Sequence, residues 1–179
     1  MTELIEFLDS TRYIENFLWN VASGNPVHYV KDKRLALPLV DSARTHSFIY
    51  TNEVINKNWE MGFELEFHEN AIFNFVYNYK DDGTYTFLRL DRRDKKDHGK
   101  MVSLFVNQWQ RSASYLTEPA IKDINQFQAS YLSGNLTFKL NGTDLMLKDS
   151  EFGYDPETGI GIFNEIKPVV MRDIRFNIL

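Results

Sequence analysis

Apolar and polar positions alternate most clearly between residues 59 and 109. Between Trp59 and His68 every second residue is apolar, namely Met61, Phe63, Leu65 and Phe67. Because successive side chains leave opposite faces of a strand, this period predicts a half-buried strand. The same spacing recurs over residues 71–79, 84–91 and 101–109, and Asp82-Gly83 predicts a hairpin turn between the first two of these runs. We therefore predict one antiparallel sheet over residues 59–109, with one face in contact with solvent.

Short strands are also predicted on both sides of this region. They cover residues 4–7, 27–30, 34–39, 47–51, 126–131, 134–140, 143–147, 159–163 and 169–178. A single helical turn is predicted over residues 12–17, after the capping residues Asp9-Ser10-Thr11, and residues 110–125 are expected to form a loop. About a dozen short strands with almost no helix predict an all-β, two-sheet antiparallel sandwich, in which residues 1–179 form a single domain.

Composition limits the class of partner. The 179 residues are 43% hydrophobic and 15% aromatic, which excludes a disordered chain. The net charge of −5 argues against nucleic acid and against an anionic membrane surface as partners. There is no cysteine, and hence no disulfide. We expect neither a signal peptide nor a membrane-spanning segment, because no apolar run approaches the ~20 residues that a span needs. The sequence predicts a soluble protein of unknown compartment.

Several segments resemble a known superfamily in their order along the chain. They are Trp19 to Leu37, the hairpin Val76 to Asp91, Leu136 to Gly142, Gly159-Ile-Gly-Ile-Phe163 and Val170 to Phe176. This order is similar to that of the concanavalin A-like lectin/glucanase superfamily, which includes laminin G-like and keto-disaccharide hydrolase-type domains. The resemblance implies a jelly roll with one concave sheet, and carbohydrate bound across that sheet or at loops on its rim. Asn78 stands where many relatives carry an arginine that faces the groove.

Three residues are candidates for catalysis. Glu64, Glu66 and His68 share one face of a strand, about 7 Å apart from one to the next. The resemblance extends to jelly-roll glucanases of the laminarinase and lichenase type, which carry catalytic carboxylates along one strand. Here the central aspartate is missing, and a histidine stands in place of the second catalytic carboxylate. The alternative interpretation of this trio is a polar outer strand face.

Ligand-binding candidates follow from the alternation over residues 84–91. Arg89 and Asp91 should avoid the core, so Tyr85 and Phe87 should share their exposed face while Thr86, Leu88 and Leu90 point inward. The same argument applied to the next strand, together with Asn78, completes the candidate set: Asn78, Tyr85, Phe87, Arg89, Phe105, Asn107 and Trp109. Aromatic rings that alternate with polar groups suit a sugar. The alternative is that the loop over residues 110–125 covers Phe87 and Phe105, which then extend the core.

The histidine positions do not indicate a metal site. The four histidines, at positions 28, 46, 68 and 98, share no metal-ligand spacing. No cofactor follows from the residues themselves, but the resemblance implies a structural calcium ion. Asp173 and Asp9 are the candidate ligands, because calcium binds carboxylates and carbonyls in flexible geometry. The alternative is that both are ordinary exposed aspartates.

The sequence thus predicts a lectin-like module that binds an oligo- or polysaccharide on the concave sheet, within a larger cell-surface, enzyme or phage-tail assembly. One alternative is a small glycoside hydrolase or polysaccharide lyase that uses Glu64 and Glu66, assisted by His68 or Arg89. A second alternative is a protein–protein interaction module on the same scaffold.

Overall fold

The structure, a computed structural model, describes thirteen stretches of the chain. They are residues 4–6, 12–14, 17–24, 27–29, 34–38, 47–51, 57–67, 70–81, 84–93, 101–106, 109–115, 121–145 and 153–179. The strands over residues 4–6, 12–14, 27–29, 101–106 and 109–115 are described by their backbone alone.

These stretches form sixteen strands and contain no helix. The strands are β1 Leu4–Glu6, β2 Arg12–Ile14, β3 Phe17–Ser23, β4 Val27–Tyr29, β5 Arg34–Leu37, β6 Phe48–Thr51, β7 Trp59–Phe67, β8 Ile72–Asp81, β9 Thr84–Asp91, β10 Met101–Val106, β11 Trp109–Tyr115, β12 Ile124–Leu132, β13 Asn135–Leu140, β14 Thr143–Asp144, β15 Gly159–Glu165 and β16 Val169–Ile178. No helix of the described residues could span a bilayer.

The strands form two antiparallel sheets of eight strands each. The first sheet has the order β1-β4-β5-β16-β7-β12-β13-β14, and the second has the order β11-β10-β9-β8-β15-β6-β3-β2. Each sheet contributes one apolar face to a shared core, in which Phe63 and Phe127 of the first sheet meet Phe73 and Phe75 of the second. The predicted all-β, two-sheet jelly-roll sandwich is therefore confirmed.

The partition of strands between the sheets corrects the prediction of one sheet over residues 59–109. Strand β7 pairs with β16 and β12 in the first sheet, whereas β8, β9 and β10 are neighbours in the second. The chain therefore crosses from one sheet to the other between β7 and β8. Alternation could not reveal this crossing, because strands of either sheet in a sandwich have one buried face and give the same period.

Two local predictions were also wrong. The predicted helical turn over residues 12–17 contains instead β2 and the start of β3, which pair as a hairpin. The segment contains Tyr13, Ile14 and Phe17, residue types that favour strands, and an isolated single turn of helix is unstable. The predicted loop over residues 110–125 contains β11, which pairs with β10, and the start of β12.

Asp91 is buried, contrary to the expectation that it would face solvent beside Arg89. Its side chain is only 1% exposed. The carboxylate accepts hydrogen bonds from the Arg93 backbone amide and, at 2.8 Å, from Arg93 Nε. This hydrogen bond raises the pKa of Arg93. A local arginine thus compensates the buried charge, a circumstance that the alternation argument did not consider.

Tyr77, on the inner face of β8, provides a pH test of the core. Burial raises the pKa of its phenol above the usual 10.0. The unfolded chain would ionise this residue near pH 10 while the folded chain keeps it protonated. Stability should therefore be complete below pH 10 and fall above it, by up to about 1.4 kcal/mol per pH unit for this residue. We expect the free energy of unfolding, measured with urea, to fall less in Tyr77→Phe than in the wild type when the pH is raised from about 9.5 to about 11.

Part of the alkaline loss should remain in this variant, because burial also raises the pKa of Tyr154. Equal losses in the wild type and in Tyr77→Phe would contradict the assignment of the effect to Tyr77.

Candidate functional site

The predicted site residues lie on two opposite surfaces of the sandwich. Met61, Phe63 and Leu65 of β7 are buried in the core, so Glu64 and Glu66 lie on the outer face of the first sheet. Leu88 and Leu90 of β9 are buried in the same core. Tyr85, Phe87 and Arg89 therefore lie on the outer face of the second sheet. The whole core separates the two groups, and Arg89 cannot assist Glu64 and Glu66 in one active site.

The outer face of the second sheet carries a second apolar cluster, here called the aromatic cluster. It consists of Phe48, Tyr50, Val76, Tyr79, Tyr85, Phe87 and Phe163. Tyr50 and Tyr85 are the half-buried members. The rings of Tyr50 and Tyr79 lie 4.4 Å apart, and Tyr79 stacks against Tyr85 at 6.2 Å between centroids. Four strands contribute to this cluster, and five of its seven members are buried.

Phe87 is a buried member of this cluster and not an exposed binding ring. Its side chain is 4% exposed and packs edge-on against Phe163 at 5.2 Å. The predicted direction of the Phe87 side chain is confirmed, since it lies on the outer face. The idea that it presents an open ring to a ligand is wrong. Phe87 packs in a cluster separate from the core, so it does not extend the core as the alternative proposed, and the side chains of residues 110–120, which that alternative places over it, lie outside the described ones.

A group of three polar side chains, here called the polar triad, adjoins the aromatic cluster. Arg89 Nε donates to Asn74 Oδ1 at 3.1 Å, and Arg89 Nη2 donates to Glu165 Oε1. Asn74 Nδ2 closes the ring by donating to the same Glu165 oxygen at 3.0 Å. The Arg89 guanidinium also lies 5.5 Å from the centre of the Phe87 ring. Sequence reasoning missed Asn74 and Glu165. The available signal was that Asn74 is a polar residue between two phenylalanines, Phe73 and Phe75, in an otherwise apolar stretch of β8.

The other ligand-binding candidates are described only in part. Phe105 lies opposite Phe87 in the pairing of β10 with β9. Trp109 lies opposite Val106, and Val106 lies opposite Thr86. By backbone register Trp109 therefore belongs to the row of Thr86 and not to the neighbouring row of Phe87. Asn107 lies outside the described residues. These three assignments remain predictions.

Asn78 has a structural partner in the described region. It has a φ of +55°, a conformation that asparagine tolerates better than most residues. Its Nδ2 donates to the Gly153 carbonyl at 2.9 Å, and its Oδ1 accepts from the Asp155 amide at 2.8 Å. Both ends of the side-chain amide therefore hold the segment before β15. A ligand role for Asn78 would have to compete with these bonds.

The outer face of the first sheet contains a cleft of about 530 Å³, here called the Gly62 cleft. It crosses β16, β7, β12 and β13. Its lining residues are Glu60, Met61, Gly62, Phe63, Glu64, Gln126, Phe127, Gln128, Lys139, Gly142, Asp173, Arg175 and Asn177. Most of the side chains that reach this surface are polar, and of the two described catalytic candidates, Glu64 and Glu66, only Glu64 lines the cleft.

The catalytic candidates do not converge on this cleft. Glu64 accepts a hydrogen bond from Gln126 Nε2 at 3.3 Å. Glu66 forms an ion pair with Arg172 at 2.7 Å and does not line the cleft. His68 lies outside the described residues. The two carboxylates therefore face different partners, whereas a glycosidase requires two carboxyl groups directed at one bond.

The calcium ligands implied by the resemblance, Asp173 and Asp9, are described only in part. Within the described residues no group of three or more His, Cys, Asp or Glu side chains could hold a metal ion. Asp9 lies outside these residues. Asp173 is exposed, and its φ of +49° marks a β-bulge in β16. Asp173 thus has a backbone role that needs no metal.

Comparisons by sequence identify no relative: no family model matches the chain, and no curated protein matches it. Comparisons by structure do. Carbohydrate-binding module CBM66 from Bacillus subtilis is similar with a TM-score of 0.59 and 11% identity, over 89% of this chain and 94% of that one. The chain has the concanavalin A-like fold.

Two further solved structures are similar to this chain. The carbohydrate recognition domain of Emp47p matches with a TM-score of 0.56 and 10% identity, over 89% of this chain and 88% of that one. The CBM2 module of the evolved Dit of Lactobacillus casei BL23 phage J-1 matches with a TM-score of 0.59 and 15% identity, over 86% and 79%. At these identities the likeness concerns the fold, and function must be argued from the surfaces.

Proposed function

We propose that this concanavalin A-like domain is a carbohydrate-binding module that holds a glycan on the outer face of its second sheet. The observation that carries the proposal is the arrangement of half-buried Tyr50 and Tyr85 on a packed aromatic layer beside the polar triad. The tyrosine rings would stack on the C–H faces of a pyranose, and Arg89 and Glu165 would bond its hydroxyl groups.

Rigid support beneath the exposed rings favours this function. The centre of the Tyr85 ring lies 5.9 Å from the ring centres of both Phe48 and Phe87, and these two residues are buried. The triad likewise orients Arg89 before any ligand arrives. A site whose groups are already held in place loses less conformational entropy on binding than a flexible one. Phe87 therefore contributes as a support for Tyr85 and not as a ligand contact.

The similar solved structures support the same ligand class. One is a carbohydrate-binding module and another is a carbohydrate recognition domain. The third is a module of a phage protein. We infer that the present domain recognises an oligo- or polysaccharide as one part of a larger assembly.

Hydrolysis by Glu64 and Glu66 is the competing proposal. The ion pair between Glu66 and Arg172 argues against it, because it engages the second carboxylate away from the Gly62 cleft. We expect no release of reducing sugar from any bound polysaccharide. Release that disappears in Glu64→Gln while binding survives would establish an enzyme instead.

Substitution of Tyr85 tests the binding proposal. We expect the wild type to bind members of a glycan array and to be retained by insoluble polysaccharides. Tyr85→Ala should weaken this binding at least about tenfold, or ~1.4 kcal/mol, because it removes a stacking surface. Calorimetric titration with the best glycan from the array gives the affinity.

Tyr131→Ala is the matched control, since Tyr131 is a tyrosine of intermediate exposure on the first sheet. It should leave the affinity unchanged. Glu165→Gln tests the triad and should weaken binding less than Tyr85→Ala. Absence of any glycan binding by a folded wild type would refute the proposal and favour a protein-binding role.

A further inference from the structure

We propose that the Gly62 cleft is a second binding site, for a neutral, hydroxyl-rich sugar unit, on the sheet opposite the aromatic cluster. The ligand class rests on the proposed function, but the site does not depend on the aromatic cluster. Two features of the backbone, an unneeded glycine and a β-bulge, create the cleft at the same place.

Gly62 is not required by the fold. It is not among the glycines with positive φ, and a Cβ at this position would meet only the Phe127 carbonyl oxygen, at an ordinary 3.7 Å. Glycine in the middle of a strand costs roughly 0.5–1 kcal/mol relative to alanine. What its missing side chain provides is open space between Glu60 and Glu64, and such glycines mark sites where a ligand approaches the backbone.

The bulge in β16 places a cation beside this space. Arg172 pairs with Glu64 and Arg175 pairs with Gly62, so three steps along β16 match two along β7. The extra residue is Asp173, with its φ of +49°. Without it, strict alternation would put Ile174 on the outer face and Arg175 in the core. With it, Ile174 is buried and Arg175 is exposed beside Gly62. Bulges commonly redirect side chains in this way near functional sites.

The lining chemistry matches hydroxyl groups. Gln128 Nε2 donates to Glu60 Oε1 at 2.9 Å, and Gln126 Nε2 donates to Glu64 Oε2 at 3.3 Å. Each of these two pairs orients an amide and a carboxylate that retain further donor and acceptor capacity. A sugar hydroxyl both donates and accepts, so it can bond an amide oxygen and a carboxylate together. Arg175 adds a guanidinium donor at the opposite wall.

The charges of the lining argue against an anionic sugar, and the burial of its aromatic rings argues against binding by stacking. Glu60, Glu64 and Asp173 contribute three carboxylates, whereas Arg175 and Lys139 contribute two cations. Lys139 also lies 3.6 Å from Asp144, which partly neutralises it. An anionic sugar would therefore meet a surplus of like charge. The aromatic residues of the lining, Phe63 and Phe127, are buried in the core, so the site binds by hydrogen bonds and not by ring stacking.

Gly62→Val is the decisive variant, because it fills the floor of the cleft at a position where a strand accepts valine. We would follow the side-chain amide signals of the isotope-labelled protein by NMR. The protein would be titrated with the methyl glycosides of glucose, galactose and mannose and with N-acetylglucosamine. Side-chain amide signals of Gln126, Gln128 and Asn177 report on the cleft directly. At least one neutral sugar should shift them in the wild type, and Gly62→Val should weaken its binding at least tenfold without lowering the unfolding temperature.

Matched variants separate this site from the proposed function. Glu64→Gln should weaken binding in the cleft, whereas Glu66→Gln, two residues along the same face, should not. Tyr85→Ala should leave the cleft signals responsive. If none of the four sugars shifts these signals, or if Gly62→Val retains the response, the second site is refuted while binding at the aromatic cluster can still stand. A stronger response to glucuronate than to methyl glucoside would refute the neutral ligand class.

Discussion

Replacement of Phe127 by alanine is expected to lower the free energy of unfolding by about 3–5 kcal/mol, because it leaves a ring-sized cavity between the two sheets. Phe127 is 2% exposed. Its ring lies 5.1 Å from that of Phe63 in its own sheet, and 5.6 and 5.5 Å from those of Phe73 and Phe75 in the other. The methyl group of alanine is too short to keep these contacts with both sheets.

Urea unfolding followed by tryptophan fluorescence measures this effect. Ile124→Ala is the matched control, since Ile124 lies on the same strand but is 55% exposed. It should change stability by less than about 0.5 kcal/mol. A loss of less than about 1.5 kcal/mol in Phe127→Ala would contradict the packing described here. With total stabilities of roughly 5–15 kcal/mol in such domains, the expected loss is large enough to make the protein marginal.

Asn164→Ala is expected to be the next most damaging change, at about 3 kcal/mol. Asn164 is completely buried and joins the two sheets at one end. Its Oδ1 accepts from the Ser47 amide beside β6, and its Nδ2 donates to the Leu37 carbonyl of β5 and to the Lys167 carbonyl, each at 3.0 Å. Alanine would leave one buried N–H and two carbonyls without these partners.

Thermal and urea unfolding of Asn164→Ala would be compared with those of Asn135→Ala. Asn135 is exposed and makes one weak bond, at 3.4 Å, to the Ser133 carbonyl. Its replacement should therefore cost little. If both variants lost the same stability, the sheet-joining role of Asn164 would be wrong.

The two proposed sites would let the protein bind a glycan on both outer faces of the sandwich. The aromatic cluster would recognise a sugar by stacking, whereas the Gly62 cleft would recognise one by hydrogen bonds alone. Two weak sites on one protein can bind a polysaccharide more tightly than either site alone. This requires that one polysaccharide chain, or two neighbouring polysaccharide chains, occupy both sites at the same time. The fraction of protein retained by insoluble polysaccharide should then be lower for the double variant Tyr85→Ala/Gly62→Val than for either single variant.

The sequence alone determined the fold class. Alternation in runs such as Met61 to Phe67 indicates strands with one buried face, and many such strands with almost no helix are typical of a two-sheet sandwich. Turn chemistry was equally local: Asn141 and Gly142, between the predicted strands over residues 134–140 and 143–147, have φ values of +52° and +82°, as a tight hairpin requires. The directions of Thr86, Leu88 and Leu90 into the core also followed from alternation.

Only the tertiary structure decided which strands are neighbours. Glu64 and Arg89 seemed to belong to one surface because their strands are close in sequence, yet β7 and β9 lie in different sheets. Pairing partners such as β16 for β7 are more than 100 residues apart, and nothing in the period of a strand encodes its partner. Candidate residues chosen from one stretch were therefore divided between two faces.

Tertiary structure also decided the details that make each surface. Strict alternation carries no signal for the bulge at Asp173, which redirects Arg175 to the Gly62 cleft. Nor could it show that Asp91 is buried against Arg93, or that Glu165 joins Asn74 and Arg89 in the polar triad. Alternation assigns a side to each residue, whereas a binding site depends on which residues of distant strands meet on that side.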